Sequence, residues 1–377
     1  MYTVIGAGIG GLTTALVFEK LGIPYQLFEK STQPNAIGAG IWLAPNALKV
    51  LEFVGVLDKV IETGNTINRI TLSDEQLAPL ADSSQLLAKE KYGFSTIAIH
   101  RAELQKCLID ALPTENIHWG KNFNKITHKA NKINIFFDDD STIETDYLIG
   151  ADGINSKMRS LLFPKSKIRY SGQTCWRGVS KKSLPKDFID RGCELWGKGI
   201  RFGFSHLNTT DTSWFVVKKS PAFGTDNPST LKKELLDLCK DFNPITHQLI
   251  EHTEIKHILR NDIIDLKPIK KWHKNNICLI GDAAHATTPN MGQGGAQAIE
   301  DAYYLGLLIQ KNSRVNNFEA FQDIRYKRVN SIVSQSWYTG QIANLSRFYK
   351  VRNFFFKNLP KQFIDKNMHS VYDLKEI

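Results

Sequence analysis

Apolar residues cluster in short runs at the start of the chain, and glycines separate them. In "YTVIGAGIGGLTTALVFEKLGIPYQLFEK", Tyr2 to Ile5 form a short β-prone run. Leu12, Ala15, Leu16 and Phe18 to Leu21 supply a helical stripe. Ile23 to Phe28 returns as a strand that ends at Glu29. Strand, helix and strand within about 30 residues predict a parallel pair joined by a right-handed crossover.

The pattern then loosens. Thr66 to Gly93 is mixed and polar. "STIAIHRAELQKCLIDAL" predicts a strand running into a helix, with Leu104, Leu108 and Leu112 at i, i+4 and i+8. "KINIFFDDDSTIETDYLIGADG" predicts a hairpin closed by Asp138–Asp140, then a strand running into a loop. From Gln173 to His257 the strand-like runs "TCWRGVS", "IRFGFSHL" and "TSWFVVKK" precede a helical stretch from Ser229 to Cys239. Strand–turn–helix patterning resumes near Lys274, and Asn317 to Phe363 is mostly helical. Tyr338, Ile342, Leu345, Phe348 and Phe355 form a stripe there, which predicts a C-terminal helix packed on the first domain, weighed against a membrane-surface patch in the basic aromatic "RFYKVRNFFFKNLPK".

The expected architecture is α/β: a Rossmann-like domain with a mixed parallel sheet, an inserted sheet-rich domain and a C-terminal helix. The first domain is expected over 1–70, 95–170 and 265–335, the inserted one over 71–94 and 171–264, and the helical segment over 336–377. A chain of 377 residues suits such a division.

Composition narrows the classes. No window approaches eighteen uninterrupted apolar residues, so no stable membrane insertion is expected. The N-terminus has neither a positively charged start nor a small-residue cleavage site, which speaks against a signal peptide. The five cysteines are scattered and form no CxxC. That suits a reducing cytoplasm and speaks against a metal site or a disulfide framework. Net charge is +10, but the lysines are spread rather than gathered in one arm. Anionic small molecules are the expected partners, and nucleic acid is not.

Gly6, Gly8 and Gly11 form G-x-G-x-x-G after a strand and before a helix. Gly6 permits the tight turn, Gly8 lets a pyrophosphate approach, and Gly11 allows close packing of helix on strand. The helix N-terminus offers N–H groups to phosphate. Glu29, at the end of the next strand, can accept both ribose hydroxyls of an adenosine. It disfavours a 2′-phosphate there, so this site is not expected to hold NADPH. Two more strand-end aspartates stand beside glycines, Asp152 in "YLIGADGINSKMR" and Asp282 in "CLIGDAAHATTPNMGQGG". The long chain of FAD, which crosses several strand ends of one sheet, accounts for all three.

With these motifs in order, the chain resembles the single-component FAD-dependent monooxygenases of the aromatic-hydroxylase type, such as para-hydroxybenzoate and salicylate hydroxylases. The resemblance rests on Gly6–Gly11 with Glu29, on Asp152–Gly153, and on Gly281–Asp282 followed by Pro289, Gly292 and Gly294. "GAGIWLAPNALKVLEFVGV" and "HRAELQ" also look like family segments. It implies that Glu29, with Lys30 beside it, holds the adenosine ribose. It implies that Arg101 and Gln105 reach the diphosphate and that Asp282 bonds the ribityl or pyrophosphate region. Asp152 would structure the FAD site and touch the nicotinamide donor. Pro289 to Gly295, with Gly292, Gly294 and Gly295 free of side chains, would lie at the isoalloxazine ring, Pro289 and Gly292 adjacent to it. Some members carry arginine where this chain has Ala36 or Gly38.

The implied reaction uses NADPH or NADH to reduce FAD, then O2, and inserts one oxygen into a small aromatic or polycyclic substrate. A second G-x-G-x-x-G is absent, so the donor has no domain of its own. Phe202, Phe204, His206 and Trp214, with Phe215 beside it, are the candidate substrate contacts, weighed against a half-buried sheet face. Trp176 and Arg177 are expected at the domain junction, with Arg177 in an interdomain ion pair. His285 and Cys278 are expected to be structural. The alternative is an FAD-dependent oxidoreductase or halogenase-like enzyme without hydroxylation, although the W-x-W-x-I-P of such halogenases is absent. A monomer or a homodimer fits equally well.

Overall fold

A computed structural model describes residues 1–34, 38–129, 132–311 and 317–375. Ala36 therefore lies outside the described residues. Tyr2–Ile5, helix Ile9–Leu21 and Tyr25–Phe28 form the expected strand–helix–strand unit, and the two strands are parallel. The helix ends at Gly22, whose φ of 66° is the left-handed conformation that closes a helix.

These strands belong to a six-stranded sheet. Its order is His273–Lys274, Ile277–Leu279, Tyr147–Gly150, Tyr2–Ile5, Tyr25–Phe28, Ile117–His118. Every neighbouring pair is parallel except the first, which is antiparallel. Val4, Leu148, Ile149, Ile277, Cys278 and Leu279 are fully buried, as strands covered on both faces should be. Helix Gly294–Lys311 packs against helix Ile9–Leu21 at close range. A Cβ on Gly306 would fall 2.3 Å from a Val17 methyl, so no larger residue fits. The sheet thus brings together segments from far apart in the chain, and their C-terminal strand ends open on one edge.

A second, seven-stranded sheet runs Leu259–Leu266, Ile168–Ser180, Thr212–Lys219, Ile200–His206, Arg191–Trp196, Arg69–Ser73, Pro79–Ser84. It is antiparallel apart from the pairing of Arg191–Trp196 with Arg69–Ser73. The polar stretch from Thr66 to Gly93 thus supplies two strands and the helix Gln85–Tyr92. One face of this sheet forms a separate core. Phe202, Phe204, Trp214 and Val216 pack there against Leu231 and Leu235 of helix Leu231–Leu238 and Leu249 of helix Pro244–Glu251. Each such aromatic is worth about 1.5–3 kcal/mol in burial.

The C-terminal region corrects one expectation. Helix Asn317–Ala343 buries Phe321, Arg325, Val329, Ile332 and Val333. It stops, and new helices begin at Tyr349–Lys357 and Lys361–His369. The expected stripe of Tyr338, Ile342, Leu345, Phe348 and Phe355 is exposed instead of packed. That stripe assumed one continuous helix. Tyr338 and Ile342 fall on the outer side of helix Asn317–Ala343, whose Ser336, Gly340 and Ala343 face inward. Past it the break, with Phe348 at φ +61°, resets the phase, and Arg352 and Phe356 turn inward, with Phe356 against Trp196.

Candidate active site

The glycine turn is shaped by exclusion. Gly6 has φ +108°, and a Cβ there would lie 2.4 Å from Ala151 O. A Cβ on Gly11 would lie 1.8 Å from Gly6 O. Neither position admits a side chain. Gly8 is the opposite case: nothing lies within 4 Å of its Cβ position. It precedes a helix whose N-terminus has no side-chain cap and no acidic residue in its first turn. The helix therefore presents free space and a positive dipole end to an anion.

Glu29 closes the mouth of this turn. Its carboxylate accepts from Ala7 N at 2.7 Å and Ser31 N at 2.9 Å. Lys30 is exposed next to it. Gln105 donates to Ala7 O at 3.0 Å and so ties helix Arg101–Asp110 to the glycine turn. Arg101 opens that helix, and its side chain is exposed.

The other two strand ends sit alongside. Ala151 N donates to Ile5 O and Ile280 N to Gly150 O, which locks the three turns in register. Ala298 would meet a Cβ on either Gly10 or Gly281, at 3.3 and 3.0 Å. Asp152 accepts from Met158 N at 3.1 Å with one oxygen, while the other is buried without a donor. Buried Arg159 bridges the two loops, donating to Ile154 O and to Ala283 O. Asp282 begins the short helix Asp282–His285, and its side chain is open to solvent. Protein crowded around this open cleft raises its carboxyl above the ordinary value, while His285, Arg101 and Arg159 pull the other way.

Next comes the 3-10 turn Pro289–Met291, then Gly292 at φ +62°, then helix Gly294–Lys311. Pro289 and Gly292 are exposed, and no atom lies within 4 Å of the Gly292 Cβ position. Gly294 and Gly295 are half-buried, and a Cβ on Gly295 would face Ile41 at 2.9 Å and Ile9 at 3.8 Å. Two helix N-termini, at Ile9 and Gly294, thus stand close together over one cleft.

A buried ionic cluster holds this second turn. Asp301 accepts from Gly281 N at 2.9 Å, from His285 at 2.6 Å and from Arg325 at 2.8 Å. Glu300 pairs with Arg325 and Arg328 and accepts from Asn46 at 2.5 Å. Burial alone would raise both carboxyls. His285 and Arg325 outweigh it at Asp301, Arg325 and Arg328 outweigh it at Glu300, and both end below their usual range. His285, its ring tilted against Trp272 at 4.9 Å between centroids, serves this cluster. Cys278 lies in the strand core. Sequence reading missed the cluster. Its signal was the adjacent acids of "AIEDA" in an otherwise apolar helix.

The seven-stranded sheet meets the second turn through its other face. Arg201 is buried, pairs with Glu194 at 3.1 Å and donates to Asn290 of the turn. Ser205 accepts from Trp42 at 2.9 Å, and Ser213 from Gly40 N at 3.0 Å. Phe215 lies across Gly203. The expected substrate contacts Phe202, Phe204, His206 and Trp214 share alternate positions and point to the opposite, helix-covered side. The structure does not bring them to the turn. Trp176 belongs to that same core and donates to Asp226, and Arg177 donates to Asn261 of the neighbouring strand rather than forming an interdomain ion pair.

The residues fit FAD. The cleft combines an open Gly8, an open Asp282 near Arg101, and a first turn in which Gly6 and Gly11 admit no side chain. Comparison with known proteins agrees. An FAD binding domain family profile matches residues 2–333. Aurachin C monooxygenase/isomerase of Stigmatella aurantiaca is 33% identical over 343 residues, spanning 90% of this chain and 88% of that protein. The 2-heptyl-3-hydroxy-4(1H)-quinolone synthase of Pseudomonas aeruginosa is 31% identical over 344 residues, with the same coverage of 90% and 88%. The structure of Klebsiella pneumoniae HpxO complexed with FAD and uric acid superposes with a TM-score of 0.91 at 25% identity, over 99% of this chain and 96% of that one. The chain belongs to the FAD binding domain family and is an FAD-dependent monooxygenase of the aromatic-hydroxylase type.

Proposed function

We propose that this enzyme takes electrons from NADPH or NADH and hydroxylates an aromatic or polycyclic substrate held between the Pro289–Gly295 turn and the seven-stranded sheet. That sheet would be the substrate-binding domain, and the six-stranded one the FAD-binding domain. The observation that carries the reading is Arg201, which joins Asn290 of the turn to Glu194 of the sheet. The quinolone named for the Pseudomonas relative is a flat ring with an alkyl tail, and a flat ring of that kind would face the side of the sheet that carries Phe215. Bound FAD supplies the activation of O2.

The protein's own residues supply placement. Gly6 to Gly11 and the helix behind them take the pyrophosphate, and Glu29 the adenosine ribose. Lys30 and Arg101 add positive charge along the path. Gln105 fixes the glycine turn. Asp282 takes the middle of the cofactor. Asp152 and Arg159 keep two strand ends in place, and Asp152 offers a buried acceptor beside the donor's approach. The turn with Pro289 and Gly292 lies at the ring. Arg201, paired with Glu194, orients Asn290 from the sheet's face.

The test is a screen of 4-quinolones, phenols and indoles for stimulated NADH and NADPH oxidation, with product mass measured. One added oxygen per donor consumed is expected. Oxidation that yields only hydrogen peroxide with every ring tested would replace this reading with an oxidase.

A further inference from the structure

The surface carries one dense apolar patch that the reaction does not use. Seven large apolar residues between Tyr338 and Phe355 are exposed, among them Tyr338 at 66%, Phe348 at 66%, Phe354 at 68% and Phe355 at 67%. Exposed apolar residues are ordinary when scattered, and a contiguous group marks an interaction surface. On helix Tyr349–Lys357 the faces are sorted. Val351, Phe354 and Phe355 point outward. Arg352 is buried, where it donates to Trp196 O and Gly197 O and anchors the helix to the seven-stranded sheet. Lys350 and Lys357, two turns apart, flank the apolar stripe and are exposed, as is Arg347 just before the helix.

Along the chain the charge beside the patch has one sign, and Glu75 and Glu194 lie on the buried side of the helix, near Arg352. No acidic residue occurs between Asp323 and Asp365. A protein partner would need a matching acidic rim around an apolar centre. An anionic bilayer offers both at once: phosphate headgroups for the cations and acyl chains for the aromatics. Among the described residues no helix is long and apolar enough to cross a membrane, so the contact would be interfacial.

The patch also borders the cleft. Gly340 packs on Asn290 of the Pro289–Met291 turn, where a Cβ would fall 2.3 Å from the amide nitrogen. Leu345 O accepts from Gly199 N, at the start of the strand that carries Arg201. A surface seated on Ile342, Phe348 and Phe355 would lie beside the junction of turn and sheet.

We propose that Phe348, Val351, Phe354 and Phe355, flanked by Arg347, Lys350 and Lys357, dock this enzyme on an anionic lipid surface. Such docking brings the cleft to substrates dissolved in the bilayer. It stands independently of the reaction proposed above.

The test uses the FAD-loaded protein and extruded vesicles. Sedimentation with mixed phosphatidylcholine and phosphatidylglycerol vesicles should pellet the protein, and phosphatidylcholine alone should not. F354S/F355S should lower partitioning about tenfold or more, and K350E/K357E by a similar factor that salt mimics in the wild type. Both variants should keep their FAD absorbance and melting temperature, since these side chains face solvent. Wild type that ignores anionic vesicles overturns the proposal, as does undiminished binding by both variants. So does a wild-type dimer that binds no vesicles and that F354S/F355S dissolves in sedimentation velocity, which would assign the face to a second copy of the chain.

Discussion

The two glycine-rich turns of the cleft are built by different means. The first, Gly6 to Gly11, is held by sterics. Its form follows from missing side chains, and the contacts that require this come from within the turn and from Ala151. The second, Gly281 to Gly295, is held by charge. Asp301 and Glu300 lie on the helix that follows it, and Arg325 reaches both from another helix. A turn shaped by missing side chains leaves no buried charge that needs a partner. A turn held by buried ions collapses if one partner leaves, because the remaining charge stays buried without compensation.

That contrast can be broken at its strongest point first. Arg325→Met leaves buried Glu300 with Arg328 alone and buried Asp301 with His285 and Gly281 N. It should cost about 3–5 kcal/mol in unfolding free energy and release the flavin, as seen by thermal melting and by absorbance after gel filtration. Gly11→Ala forces the first turn apart. The expected cost is about 1–3 kcal/mol, with loss of FAD and a smaller drop in melting temperature than Arg325→Met. Should Gly11→Ala prove the more damaging of the two, the assignment of steric and ionic support is reversed.

Asp282→Ala separates binding from folding. Its carboxylate is open to the cleft, so FAD affinity should fall about tenfold to a hundredfold while the melting temperature barely moves. Isothermal titration with FAD against the apoprotein decides this, and a variant that binds normally would place the cofactor's middle elsewhere. The smallest effect at neutral pH is in acid sensitivity. Glu300 and Asp301 have depressed folded-state values, so their contribution is fully present above the unfolded carboxylate range near pH ~4. It is lost as pH falls below that range toward their folded values. Chemical denaturation at stepped pH should show stability declining there, and Asp301→Asn, compared at the same pH values, should flatten part of the slope.

The same contrast explains what the sequence disclosed. Gly6, Gly8 and Gly11 were legible as a tight turn because their spacing in one strand–turn–helix has few other uses, and Glu29 and Asp282 stood out as acids just past two further strands. The parallel sheet followed from apolar runs and short connections. Arg325 was not legible as a partner of Glu300 and Asp301. A helix pattern shows which residues face inward, but not which inward residue of another helix they meet. The seven-stranded sheet shows a related limit. Period-two alternation put Phe202, Phe204 and His206 on one face and Arg201, Gly203 and Ser205 on the other. It could not say which face turns to the cleft. The polar alternates Arg201 and Ser205 were the better signal, since a face covered by helices favours the apolar set. The C-terminal aromatics were read as packed for a third reason: Tyr338 falls on the outer side of helix Asn317–Ala343, and a break after Ala343 resets the phase for Phe348 and Phe355.

The sheet order has a consequence for how the holoenzyme arises in the cell. Strand Ile277–Leu279 completes the cleft by pairing with Tyr147–Gly150, and Arg325 then neutralises the acids behind the second turn. A ribosome releases the glycine loop long before either appears. Nascent chains would therefore emerge without a pocket able to retain flavin, and loading would follow synthesis rather than accompany it. Cells short of FAD should accordingly accumulate a complete but empty chain, vulnerable to proteolysis around the second turn, where no ligand yet covers it.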